Sequence, residues 1–190
     1  SARLSFKEIE TLSEKLDHSY VKNYLNGAPL PSLEPKVPVP TRLDPVGLQV
    51  LDELIFSEDP LSEKAQINEL STSLVKDFDR FKKGQVNVLF YDRQVFEACR
   101  EELIRIFTLG LTGFDTPGSG NAIPEARRAM ASIKKILLPY NDFFNSVQSG
   151  SGDEILITLN KADEYIEKNN DFETFDRLEF YRNFIKPLDD

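Results

Sequence analysis

The chain predicts an all-α protein: an up-and-down bundle, or a pair of fused bundles, of about seven helices. Three observations carry this. Apolar residues recur at three- and four-residue steps along most of the chain, the spacing of one helix face. Short links rich in turn residues separate those stretches, which favours antiparallel neighbours. No stretch alternates apolar and polar convincingly with period two; Val86-Asn87-Val88 comes nearest. With 190 residues, 14 Phe and 6 Tyr, the chain holds enough apolar bulk for a core, and it reads as one domain over residues 1–190.

Taken in order, Leu4, Phe6, Ile9, Leu12, Leu16, Tyr20, Val21, Tyr24 and Leu25 predict a helix from about Arg3 to Leu25, stopped by Asn26-Gly27. Residues 28–43 contain Pro29, Pro31, Pro35, Pro38 and Pro40, so they read as an extended, polyproline-like connection. A second helix runs from about Pro45 to Phe56, with Asp44 as cap and Pro45 in the first position. Asp59-Pro60 opens the next, which carries Ile67, Leu70, Leu74, Phe78 and Phe81 to a stop at Gly84. Another covers Tyr91 to about Leu109 and breaks at Gly110 and Gly113. A turn-rich loop through Phe114-Asp115-Thr116-Pro117-Gly118-Ser119-Gly120-Asn121 then leads to a helix starting near Pro124-Glu125. That helix uses Ala126, Ala129, Met130, Ile133, Ile136 and Leu137, and Phe143 and Phe144 extend it past a kink at Pro139. Asp153 caps the following helix, and Asn169-Asn170 separates it from a last one holding Phe172, Phe175, Leu178, Phe180, Tyr181, Phe184 and Ile185. Asp176-Arg177 within that last helix suggests a buried pair with another helix, and Pro187 marks its end or a connection onward.

Charge narrows the partners. There are 32 acidic and 23 basic residues, so the formal net charge of −9 argues against nucleic acid or an anionic membrane, both of which need a positive field. No apolar run reaches the roughly 18 residues of a membrane helix, so direct membrane insertion is not expected. Lone Cys99, in a helical pattern beside Ala98, reads as a buried inert thiol. Ser1-Ala2-Arg3-Leu4-Ser5-Phe6 already has helical spacing without a start signal, so the chain reads as a piece of a longer protein.

Few residues carry candidate chemistry. The single histidine, His18, lies between Asp17 and Ser19, and adjacent helical residues point apart, so these do not make a triad. The loop from Gly110 to Asn121 reads either as a cradle for an anion at the start of the following helix, near Arg127 and Arg128, or as a structural turn. The most informative segment is 44–59. Its helix is apolar except at Gln49, Asp52 and Glu53, which lie three or four residues apart and share a face. An amide is a weak ligand for zinc, iron or copper, so the alternatives are a hard-cation contribution from Asp52 and Glu53 or a polar stripe bonded to neighbouring helices.

Gly47-x-Gln49-x-x-Asp52 resembles, without a gap, the glycine-x-histidine-x-x-glutamate signature of imelysin-like proteins, with Gln49 where the family has His and Asp52 where it has Glu. Ala2-Arg3, Phe6 and Glu10 resemble the early helix of that family, and Asn26-Gly27-Ala28-Pro29-Leu30 follows in the same order. The stretches 109–117 and 171–180 resemble, more narrowly, the imelysin-like region that precedes the di-haem cytochrome c peroxidase module in Bacteroidetes-type proteins. The resemblance spans nearly the whole chain. It implies an imelysin-like helical fold and a periplasmic or cell-envelope location. Haem is implied only for a downstream module, since the chain itself has no Cys-x-x-Cys-His and no cofactor is expected in it. Of the signature, only Gly47 is carried over intact. The expected function is therefore a non-catalytic accessory domain that docks onto or regulates a haem peroxidase module, or binds another envelope protein. The alternative is a stand-alone imelysin-like protein, associated with iron or another metal or acting as a peptidase, with a degenerate signature. No catalytic or metal-ligating residue is assigned; the candidate binding positions are Gly47, Gln49, Asp52 and Glu53 on the signature helix and Asp115 in the loop.

Overall fold

A computed structural model describes residues 2–33, 42–85 and 87–189. The protein is all-α, with a single two-residue antiparallel pair among the described residues. The chain divides into two units. Unit 1 comprises Ser1–Lys15, Phe90–Phe114 and Asn121–Asp190; unit 2 comprises Leu16–Leu89 and Asp115–Gly120.

Unit 1 is built by α1 (Ala2–Lys7), the start of α2 (Glu10–Tyr20), α5 (Asp92–Arg105), α6 (Ala122–Leu137), α7 (Asn141–Val147), α8 (Ser151–Lys168), α9 (Arg177–Phe180) and α10 (Lys186–Asp189). Its core follows the expected periodicity. Ala126, Ala129, Met130 and Ile133 of α6 are buried with Leu159 and Ile166 of α8 and with Leu103 of α5. Burying each large aliphatic side chain stabilises by roughly 1.5–3 kcal/mol. The C-terminal aromatics belong to this core: Phe175, Phe180 and Phe184 are buried, and Tyr165 of α8 lies 5.4–5.8 Å from all three rings.

Unit 2 holds the end of α2, α3 (Leu48–Ile55) and α4 (Lys64–Gly84). Its core is smaller: Val21, Leu25, Leu48, Val50, Leu51, Leu74 and Phe81. In the 21-residue α4 only Leu74, Asp77 and Phe81 are buried. Tyr20 stacks near Phe81 at 5.7 Å and donates its hydroxyl to the Asp77 carbonyl.

Several boundaries depart from expectation for identifiable reasons. The first helix is broken: α1 ends at Lys7, α2 departs from helical geometry at Asp17, and a π-helical turn, Val21–Leu25, follows. Asp17 there accepts the backbone N–H of Tyr20. The signature helix begins at Leu48 with Gly47 as its cap, so neither Asp44 nor Pro45 starts it. Asp59-Pro60 forms a turn, with the Ser62 N–H on Asp59 Oδ1, and α4 starts at Lys64. Gly150 caps α8, leaving Asp153 in the first turn, where it accepts from the amides of Asn141 and Asn145. The last helix starts only at Arg177: Asp176 caps it by accepting the Glu179 N–H, so Phe172 and Phe175 precede it. Among the described residues Arg177 pairs with no carboxylate; it donates to the carbonyls of Leu111, Phe172 and Phe175 and sits 4.4 Å over the Phe172 ring. Pro187 ends nothing, lying inside the first turn of α10. In the proline-rich connection, Ser32–Leu33 and Arg42–Leu43 form the antiparallel pair, while residues 34–41 lie outside the described residues, as does Val86.

Candidate functional site

The candidate positions converge inside unit 2, and they do so through backbone. At Asn26 the chain leaves the π-helical turn and forms an antiparallel bridge with Gly47. The two strands of chain touch there. A Cβ on Gly27 would meet the Val46 carbonyl oxygen at 2.5 Å, and one on Gly47 would meet the Gly27 nitrogen at 2.8 Å. Gly47 also has φ +110°, a conformation that other residues rarely adopt. The signature glycine is therefore explained by a crossing of two chain segments that leaves no room for a side chain.

From this anchor α3 projects Gln49 and Asp52 inward. Both are buried, whereas Glu53, one residue and about 100° further round the helix, is exposed. The expected three-residue polar face is thus split. Gln49 Nε2 donates to the Asn26 carbonyl at 3.1 Å and to Asp115 Oδ1 at 2.9 Å. Asp52 Oδ2 accepts the backbone N–H groups of Gly118 and Ser119, each at 2.9 Å. Gly118 is close enough to α3 that a Cβ there would meet the Asp52 carbonyl oxygen at 2.5 Å.

In the loop at 110–121, Gly118 and Ser119 turn their amides onto a side chain of this protein, as a structural turn does. Two successive amide N–H groups converge on one carboxylate oxygen, the geometry that backbone nests offer to anions. The two arginines expected beside it are engaged elsewhere: Arg127 forms a two-pronged pair with Asp163 and also reaches Glu167, and Arg128 pairs with Glu8. That pairing pulls the Asp163 carboxyl below its usual range. Charge-assisted hydrogen bonds of this kind are the stronger ones, and Asp115 at 1% exposure and Asp52 at 3% hold theirs away from water.

The other sequence candidates stay apart. His18 and Ser19 are exposed at the surface of α2. Cys99 is buried in α5, and burial, with a smaller push from Glu102, raises its thiol to about 12, which keeps it protonated and inert. Among the described residues no group of three or more His, Cys, Asp or Glu side chains is placed to hold a metal ion, and no helix is long and apolar enough to cross a membrane.

One polar constellation escaped the sequence reading. In unit 1, Lys7, Glu10, Glu14, Glu102, Arg105 and Glu125 are nearly all out of water, with Arg3 on Glu125 at 2.6 and 2.7 Å. The signal was present: Lys7, Glu10 and Glu14 are spaced three and four apart, and Glu102 and Arg105 three apart, the spacing of a charged stripe on a buried face.

The chain matches no protein-family model, no curated protein and no solved structure.

Proposed function

We propose that this chain is a helical accessory domain that works by interaction rather than by catalysis, its partner being the di-haem peroxidase module of a longer envelope protein or another protein of the cell envelope. The observation that carries the reading is the structural use of the signature polar set. Gln49, Asp52 and Asp115 are buried; Gln49 donates to Asn26 and Asp115, Asp52 accepts from the loop amides, and Gln49 Oε1 has no hydrogen-bond partner. In the imelysin-like signature an imidazole and a glutamate stand at these positions; here an amide and a shorter carboxylate tie a loop to a helix. Such a set positions a surface rather than reacting at one. The surface that this helix turns outward is Glu53, with Ile55 at 46% and Phe56 at 55% exposure beside it. Two apolar side chains flanked by a carboxylate suit a partner with an apolar, basic-rimmed patch.

The test is calorimetric titration of the isolated haem module with this chain and with its Phe56→Ala and Glu53→Lys variants, both of which change exposed positions and should leave the helical circular dichroism unchanged. The expected result is weaker binding in both variants. Equal heats for all three proteins reject the docking surface. Stoichiometric iron or zinc in protein purified without chelator rejects the whole reading in favour of a metal-associated protein.

A further inference from the structure

The charged cluster of unit 1 leaves one buried carboxylate oxygen without a donor. Arg3, Lys7 and Arg105 gather there with Glu10, Glu14, Glu102 and Glu125. Lys7 holds Glu10 at 2.7 Å, Arg3 holds Glu125, and Arg105 is shared between Glu102 at 2.8 Å and Glu14 at 3.5 Å. Glu102 is 1% exposed, and its two oxygens differ. Oε2 accepts from the Arg105 guanidinium, whereas buried Oε1 has no hydrogen-bond partner. Glu102 also lines a cavity of about 10 Å³, room for one water, bounded by Lys7, Arg105, Glu125, Gly110 and Ala129.

A buried carboxylate oxygen without a donor is costly, and so is holding the charge of Glu102 itself away from water. One proton removes both defects. We propose that Glu102 is a resident proton site of unit 1: a neutral carboxylic acid with its proton on Oε1, aimed at the cavity, whose ionisation weakens the unit as the pH rises. Oε2 remains a carbonyl-type acceptor for Arg105, so the observed bond is kept.

The surroundings agree. Burial first, and then the charge of Glu10, push the Glu102 carboxyl up to about 8, against the opposing pull of Arg105 and Lys7. The charged groups around it come from several elements. α1 contributes Arg3 and Lys7, α2 contributes Glu10 and Glu14, and α6 contributes Glu125. On α5 itself the other neighbours are Arg105 and the protonated Cys99. On α10, Asp189 is engaged with Arg100, and Lys186 is exposed.

The direction follows from linkage. An unfolded glutamate ionises near about 4.3, so between that value and 8 the folded chain holds a proton that the unfolded chain has released. The stability contributed by this group is complete at lower pH. It is lost as the pH climbs toward 8, and levels off above. The test compares urea unfolding of the full chain and of Glu102→Gln from pH 5 to pH 8, because glutamine mimics the neutral acid and cannot ionise. The unfolding constant of the unaltered chain, relative to Glu102→Gln, should rise with a limiting slope of about tenfold per pH unit in this window. Parallel profiles overturn the proposal. Should Glu102→Gln not fold, carbon-13 NMR of the glutamate carboxyls in the unaltered chain decides. A single carboxyl titrating near 8 is expected, and a full set titrating in the ordinary glutamate range overturns the proton site.

Discussion

Units 1 and 2 solve the same problem by different means. Unit 1 has a deep apolar core: α5, α6, α8 and the C-terminal aromatics bury Leu103, Met130, Ile133, Leu159, Ile166 and Phe180 nearly completely. Unit 2 has fewer large apolar side chains. Its long helix α4 buries only Leu74, Asp77 and Phe81, its loop 115–120 is held largely by polar atoms and by the close approach of Gly118 to α3, and its segments at Gly27 and Gly47 cross without room for a side chain. The contrast teaches that a helical protein with a small apolar core can define its geometry through a few buried hydrogen bonds, even with Gln49 Oε1 and Thr116 Oγ1 left without a partner.

Substitutions at three positions probe this contrast. The largest effect is expected at Phe180→Ala in unit 1. Phe180 is fully buried against Phe175, Phe184 and Tyr165, so its loss should cost about 3–5 kcal/mol, measured by urea unfolding. A cost under about 1 kcal/mol would mean that unit 1 is not packed as described. Next comes Asp52→Ala in unit 2. It strands the amides of Gly118 and Ser119, at about 1–3 kcal/mol for an unsatisfied buried group, and should speed hydrogen exchange at those two amides selectively. Asp52→Asn keeps an acceptor and should recover part of the protection; unchanged exchange in both variants would break the idea of a polar hold. The smallest effect belongs to Val75→Thr on the exposed side of α4, where Val75 is 64% exposed. That exchange keeps the β-branch and should shift stability by less than about 0.5 kcal/mol. A larger loss there would show that α4 is covered by something absent from this chain.

Much of the helical layout was legible because stop signals act locally. Asn26-Gly27 and Gly84 end helices where expected, and the α6 core positions follow a plain 3.6-residue period. Starts were harder. Asp44-Pro45 has the chemistry of a helix beginning, yet the bridge between Asn26 and Gly47 holds the backbone extended until Leu48, a tertiary constraint that no local signal reveals. The π-helical turns at Val21–Leu25, Ile106–Gly110 and Tyr181–Ile185 were also hidden, because a single widened turn barely disturbs a three- and four-residue spacing. Of the candidate site, the apposition of Gln49 and Asp115 was not legible: they are 66 residues apart and come together only when loop 115–120 folds onto α3. The buried charges of unit 1 were missed for another reason. Lys7, Glu10 and Glu14 read as solvent-facing by type, and only the matching stripe on α5 shows that they face inward.

The amide at position 49 has a consequence for how this fold meets a changing environment. Imidazole gains a proton near neutrality and attracts transition ions, so a histidine bonded to Asp115 would change charge and strength with acidity and with metal supply. A carboxamide does neither: Gln49 offers the same two N–H groups to Asn26 and Asp115 under acid, neutral or metal-replete conditions. At position 49, though not at the carboxylates of Asp52 and Asp115, the joint between α3 and the loop is in that sense deaf to two of the commonest chemical signals around a cell.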